Sequence, residues 1–344
     1  MTHFKNVSRI LVVAPSWLGD AVMSHSLIRR LSQEYQTASI DVFVSKAIEA
    51  IYIQMPEVSR IVNNPFGHAQ LRLRDRWNTA QVLKSNRYDV VYVLPNSIKS
   101  ALIPFLARIP HRVGYTGESR FGLLNHRQTL NKAQHPLLVD QYLELARHTQ
   151  SDVLALRENP NLRVAKIDCE LTLAKFNINA KTPYVCLCPG AEYGPAKRWP
   201  EQHFAKLAQE LHTRHLPSVI LGGNHDVDIG AAIHSLSLES TKDVTGMTNL
   251  EEAVHLIAGA KCVITNDSGL MHIAAALNTP LIALFGSSSP SYTPPLSKKA
   301  KILTLSLECS PCFQRNCPLG HTRCLTEIQT GSVLTEVMAL VAEN

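Results

Sequence analysis

Four groups of residues in this chain have types and spacings that can do chemistry. Asp20 stands where an apolar run, Ile10 to Ala14, turns through Pro15-Ser16-Trp17-Leu18-Gly19 into a helical pattern. A carboxylate fixed at a strand end can accept a hydroxyl proton as a general base. The same position also suits an N-cap or first-turn carboxylate. The second group, Pro189-Gly190-Ala191-Glu192-Tyr193-Gly194-Pro195-Ala196-Lys197-Arg198-Trp199-Pro200, follows another apolar run. Its glycines let backbone approach a ligand, and Lys197 and Arg198 offer a point charge and a fork of donors suited to a diphosphate. A surface turn with solvated charges would read the same way.

The third group is Thr265-Asn266-Asp267-Ser268-Gly269-Leu270-Met271-His272, between a buried strand pattern and the apolar helix pattern Ile273 to Leu277. Free amides at a helix start bind anions, so Ser268, Gly269 and Leu270 suit a phosphate while Asp267 accepts sugar hydroxyls. A plain N-cap accounts for Asp267 and Ser268 but leaves Gly269 and His272 unused. The fourth group is Cys309, Cys312, Cys317 and Cys324 with His321 among them. It opens with a zinc-knuckle C-x2-C, but its later spacings fit no standard finger, so a structural metal, packed thiols and a redox role all stay open.

Other loops narrow the choice. The first strand lacks G-x-G-x-x-G, and Ser45-Lys46-Ala47 after the second strand supplies no acid for a ribose, which argues against NAD in this half. Gly222-Gly223-Asn224-His225-Asp226 could set Asp226 against a ribose or base. Phe285-Gly286-Ser287-Ser288-Ser289-Pro290 lacks the lysine of a P-loop, which excludes a Walker NTPase.

The elements that must position these residues are parallel strands covered by helices. Val- and Ile-rich runs at Ile10 to Ala14, Ile40 to Val44 and Val90 to Leu94 alternate with helical patterns, the first over Ala21 to Leu31. The polar stretch 150–161 reads as a linker. A second series follows at Tyr184 to Cys188, Ser218 to Leu221, Cys262 to Thr265 and Leu281 to Phe285, and a closing helix at Ser332 to Val341 could pack on either series. The two opening strands end alike at Pro15 and Pro189, so two α/β units in tandem are expected, with ligand at facing strand ends.

At 344 residues the chain has room for two cores. Its 45% hydrophobic content excludes a disordered tail protein, and no run approaches the roughly 20 apolar residues of a membrane span. No export signal is evident, so a soluble cytoplasmic protein is expected, its eight cysteines thiols or metal ligands. The net charge of +6 permits an anionic partner. Residues 1–172 carry 21 Lys and Arg against 14 Asp and Glu, a surplus of seven that the second half does not share.

Pro15-Ser16-Trp17-Leu18-Gly19-Asp20-Ala21-Val22-Met23-Ser24, Leu94-Pro95-Asn96-Ser97-Ile98-Lys99-Ser100-Ala101 and the Pro189 and Thr265 motifs together resemble the ADP-heptose:lipopolysaccharide heptosyltransferase II group of glycosyltransferase family 9, over essentially the whole chain. The resemblance implies a GT-B fold: an α/β protein of two Rossmann-like doubly wound domains facing across a cleft, 1–172 for the acceptor and 173–344 for ADP-heptose. It implies inverting, metal-independent transfer of L-glycero-D-manno-heptose to the first heptose of the lipopolysaccharide inner core, with no cofactor. The implied partners are ADP-heptose, the anionic lipid-linked acceptor and, peripherally, the cytoplasmic face of the inner membrane.

Position by position, Asp20 resembles the family's base, Lys197 its diphosphate lysine, and Asp267, Ser268, Gly269 and His272 its donor-binding helix start, with Gly190 in the donor loop. Asp226 resembles a ribose or adenine contact, although it is shorter than the Glu that relatives carry. Ser16, Asn96, Lys99 and Arg120 are the expected acceptor contacts, and Arg108, Arg112 and Arg127 are further basic candidates. The cysteine cluster is not part of the family's shared chemistry. Heptosyltransferase I or another GT-B enzyme is the nearest alternative activity, and a basic zinc-knuckle protein binding nucleic acid is the alternative outside enzymes.

Overall fold

The computed structural model describes residues 4–67, 71–147 and 157–343. The chain divides into two units, Met1–Pro160 and Asn161–Asn344. The first holds the parallel strands β1 (Arg9–Val13), β2 (Ser39–Val44), β3 (Arg60–Asn63), β4 (Val90–Val93), β5 (His111–Tyr115) and β6 (His126–Gln128), in the order β3-β2-β1-β4-β5-β6. The second holds β7 (Val185–Cys188), β8 (Ser218–Ile220), β9 (Thr241–Asp243), β10 (Cys262–Asn266), β11 (Leu281–Phe285) and β12 (Ala300–Thr304), in the order β12-β11-β10-β7-β8-β9. Counted from its own first strand, each sheet runs 3-2-1-4-5-6, the doubly wound Rossmann order.

This order has a functional consequence. The chain direction across each sheet reverses between the first and fourth strands, where the loops beyond the strand ends part and leave room for a ligand. These switch points lie between β1 and β4 in one unit and between β7 and β10 in the other. The central strands are buried throughout, which suits their largely apolar runs. The short or polar strands β3, β5, β6, β9 and β12 were not among the expected runs. Arg60, His126-Arg127-Gln128, Thr241-Lys242 and Lys301 lie in strands at or near sheet margins, where a strand needs less apolar sequence.

Three further differences have physical causes. The expected helix over Ala21 to Leu31 begins at Leu18 and is two helices, Leu18–Met23 and His25–Glu34. At the junction the Ser24 hydroxyl donates to the Ala21 carbonyl at 2.7 Å and contacts the Tyr52 hydroxyl at 3.1 Å, competing with the helical ladder. The boundary after residue 172 moves back to Pro160. Helix Lys166–Lys175 packs on helix Leu250–Gly259, with Thr172 Oγ1 2.9 Å from His255 Nδ1, and so belongs to the second unit. The closing helix, Thr330–Ala342, packs on helix Glu201–His212 and on β10 and β11 of that unit. Of the expected linker, residues 150–156 lie outside the described residues.

Candidate functional site

In the first unit, Ala14-Pro15-Ser16 leaves the end of β1 and Trp17 precedes helix Leu18–Met23, with Asp20 in its first turn. Burial pushes the Asp20 carboxyl up to about 6. A carboxyl at that value is ionised at neutral pH and more basic than an ordinary aspartate, which suits a proton acceptor.

Beside this turn, a cavity of about 500 Å³ opens at the carboxyl ends of β1 to β4. Ser16, Asn64, Phe66, Arg76, Lys99 and Glu118 are among its lining residues. Ser16 and Lys99 are therefore brought to one cavity. Arg120 is not. It is 2% exposed, and its guanidinium donates to the carbonyls of Pro95 (2.8 Å) and Tyr115 and to Asn96 Oδ1 (3.1 Å). The expected acceptor contact is corrected accordingly: Arg120 ties the loop after β4 to the end of β5, and Asn96 is one of its acceptors. Arg76 went unnoticed among neighbouring cations in the sequence. It is buried against the Phe66 ring at 4.2 Å, and NH1 donates to the Lys99 carbonyl at 3.0 Å.

In the second unit the loop after β7 and the turn after β10 meet. Lys197 Nζ lies 2.5 Å from Asp267 Oδ2, and Ser288 Oγ donates to that oxygen, also at 2.5 Å. Asn266 joins the two segments from below, accepting from the Trp199 amide at 3.0 Å and donating to the Pro189 carbonyl at 2.7 Å. Asp267 leads into helix Gly269–Ala276, whose N-cap, Ser268, makes no side-chain capping bond. The hydroxyl lies 3.3 Å from Thr265 Oγ1 instead, leaving the first-turn amides without a side-chain acceptor. His272 is buried one turn along that helix. Burial, reinforced by nearby Lys197 and opposed by Asp267, holds its imidazole below the usual range, so it is neutral at pH 7.

Gly190 and Asp226 are neighbours. A Cβ at position 190 would stand 2.4 Å from the Asp226 carboxyl group, so only glycine admits that approach. Asp226 Oδ2 accepts from the Gly223 amide at 3.0 Å, and Oδ1 lies 4.0 Å from Arg198 NH2. The Asp226 carboxylate is thus fixed by its own loop, close to the glycine that begins the Lys197 loop.

The cysteine segment reaches the site through Phe313 and Arg315. Among the described residues no three His, Cys, Asp or Glu side chains gather closely enough to hold a metal ion, and all eight cysteines are free thiols. What this segment does provide is support. The Phe313 amide donates to the Ser287 carbonyl at 2.7 Å, and the Phe313 carbonyl accepts from the Tyr193 hydroxyl at 2.8 Å. The Arg315 side chain donates to the Tyr193 carbonyl at 2.6 Å, and the Arg315 carbonyl accepts from the Ala196 amide at 3.1 Å. Residues 313–315 therefore brace both the Lys197 loop and the loop that presents Ser288.

Comparison with known proteins shows the family and the fold. Residues 76–323 match the model of glycosyltransferase family 9 (heptosyltransferase). The chain is 41% identical to lipopolysaccharide heptosyltransferase 2 of Escherichia coli strain K12, over 98% of this chain and 99% of that one. It is 44% identical to lipooligosaccharide heptosyltransferase 2 of Haemophilus influenzae, over 86% and 88% of the two chains. The fold superimposes on the solved E. coli ADP-heptose lps heptosyltransferase II with a TM-score of 0.88, at 40% identity, covering 97% of this chain and 99% of that one.

Proposed function

The chain belongs to glycosyltransferase family 9, and from that premise we propose that it is an inverting heptosyltransferase moving L-glycero-D-manno-heptose from ADP-heptose to the first heptose of the lipopolysaccharide inner core. The observation that carries the reading is near-full-length identity above 40% to a heptosyltransferase 2, together with ligand-ready groups at the switch point of each sheet. Family membership removes the reading of basic charge and cysteines as a nucleic-acid binder.

The acceptor belongs to the first unit. Asp20 removes the proton from the acceptor hydroxyl as its oxygen bonds to the anomeric carbon, on the face opposite the diphosphate. The bond from that carbon to the phosphate oxygen breaks, and ADP leaves with the electron pair. Ser16 and Lys99 hold the anionic acceptor in the cavity at the end of β1, and Arg120 acts on it through the loops that it ties.

The donor belongs to the second unit. Lys197 and the uncapped amides after Ser268 face the diphosphate, whose charge grows as the bond breaks, so they stabilise the transition state more than the ground state. They supply the charge stabilisation that other transferases draw from a divalent ion. Asp267 takes sugar hydroxyls, and Asp226 beside Gly190 takes the ribose.

The test offers ADP-heptose with either heptosyl-Kdo2-lipid A or Kdo2-lipid A, with mass spectrometry of the product. Addition of one heptose to the heptosylated acceptor alone is expected. Equal or better transfer to Kdo2-lipid A would reassign the chain to the heptosyltransferase I reaction.

The brace adds a prediction. Arg315→Ala removes one charged hydrogen bond to the Tyr193 carbonyl without touching donor, a loss of roughly 1–2 kcal/mol. Initial-rate kinetics are expected to show the ADP-heptose KM raised about five- to tenfold, with kcat changed less. An unchanged KM would show that the Lys197 loop holds its geometry unaided.

A further inference from the structure

Helix Leu73–Ser85 presents two very different sides. Arg76, Ala80 and Leu83 are buried, Arg76 lining the cavity of the first unit. Leu73 and Trp77, four residues apart and hence on one face, are 57% and 53% exposed, and Leu71 just before them is exposed as well. Arg74, Gln81 and Lys84 stand three, four and seven positions from Trp77, and all three are exposed. Helix Ile98–Leu106 packs alongside and repeats the pattern: Ile98 and Phe105 are exposed and Leu102 half-buried, at the spacing of a single stripe. Lys99 and exposed Arg108 flank that stripe.

The charge is one-sided. Residues 71–112 contain eight Lys and Arg, two Asp and no Glu. Both acids are already engaged. Asp75 pairs with Arg72 at 2.7 Å, and Asp89 accepts from the Ser8 and Arg9 amides at 2.8 and 2.9 Å. Single exposed apolar residues are ordinary on any surface, but two adjoining helices that each raise an apolar stripe among surplus cations, with Glu118 on the Ile98 amide at 2.7 Å the acid beside the second, are not scattered. A dry protein interface depletes lysine from its centre, whereas Lys84 and Lys99 border these stripes. Phosphate headgroups above acyl chains match both features, since cations meet the phosphates while Trp, Leu and Phe enter the interfacial layer.

We propose that the outer faces of helices Leu73–Ser85 and Ile98–Leu106 dock the protein on an anionic phospholipid bilayer. Among the described residues no helix is long and apolar enough to cross a membrane, so docking is interfacial. The inference rests on the reading that the acceptor is lipid-linked, and it gives that reading a geometry. Arg76, which lines the cavity, is the immediate neighbour of Trp77 on the bilayer side, so the acceptor saccharide reaches the cavity while its lipid stays in the membrane.

The full chain is floated with vesicles containing phosphatidylglycerol and with vesicles of phosphatidylcholine alone, and the Trp77→Ser and Arg74→Glu/Lys84→Glu variants are treated likewise. These side chains are exposed, and an unchanged melting temperature checks that the variants fold. The wild type is expected to float with the anionic vesicles only, less so at high salt. Trp77→Ser is expected to lose about tenfold in partition, and the double charge reversal about tenfold or more. Turnover on an O-deacylated, soluble acceptor should stay within twofold in both variants, while turnover on vesicle-borne acceptor falls. Wild type that ignores anionic vesicles, or variants that float as well as wild type, would overturn the docking surface. Failure of the wild type on the soluble acceptor would instead strike the heptosyltransferase reading, and flotation reports on the surface independently of it.

Discussion

Asp20→Asn is expected to lower kcat about 10²- to 10⁴-fold, the usual worth of a positioned base, with ADP affinity nearly unchanged. The amide keeps the shape of the side chain but cannot take a proton. The wild-type profile carries a second signature. With its carboxyl at about 6, kcat/KM should rise as pH increases through that value and level off above it, and this limb should vanish in the variant. The same substitution should stabilise the fold at neutral pH. Because the folded-state value lies above the ordinary 3.8, the folded protein binds more protons than the unfolded chain between these two values. Stability is therefore lost as pH rises through that window, and the cost is fully present above about 6. Asparagine removes it, a gain of roughly 2–3 kcal/mol. A melting curve at pH 7.5 and one at pH 4 separate the effects: the variant should melt higher at pH 7.5, with the advantage shrinking towards pH 4. Full turnover in the variant would remove Asp20 from the mechanism.

The other large effect is expected at Lys197. Its ammonium is held 2.5 Å from Asp267 and lies over the Tyr193 ring at 5.1 Å. Lys197→Ala removes a cation facing the growing charge of the diphosphate, which is worth about 10²- to 10³-fold in kcat. It also leaves Asp267, 7% exposed at its side chain, as a buried anion with Ser288 as its remaining close partner. Breaking one member of a buried pair costs more than removing both. Lys197→Ala is therefore expected to weaken ADP binding more than the Lys197→Ala/Asp267→Asn double variant does, even though the double variant changes more of the site. Titration calorimetry with ADP reads the affinities, and single-turnover kinetics read the chemical step. Equal affinities in the two variants would show that the ion pair is a structural contact only.

Much of this molecule was legible before any coordinate. The Val- and Ile-rich runs of β1, β2, β4, β7, β8, β10 and β11 announce themselves because a strand buried on both faces is apolar at most positions, the buried Asp41 and Asn266 being the hydrogen-bonded exceptions. The punctuation after them, Pro15 to Asp20, Pro189 to Pro200 and Thr265 to His272, marks loops at strand ends, where ligands of such sheets gather. Family resemblance was carried by those same loops. The marginal strands were not legible, because Thr241-Lys242-Asp243 or His126-Arg127-Gln128 is recruited by hydrogen bonding to a neighbour and has no pattern of its own.

By itself, then, the sequence determined the two doubly wound units, the loops that carry the chemistry and the family they belong to. Periodicity and turn residues are local, and each element needed only its own neighbours to declare itself. The tertiary structure alone decided which residues meet and which are withdrawn from solvent. It set Lys197 against Asp267, seventy positions away, drew Arg120 inward and brought Arg76 to the cavity. It also raised the Asp20 carboxyl by burying it and made the 313–315 segment a brace. Ion pairing, desolvation and cavity lining depend on distances through space, which no spacing along the chain encodes.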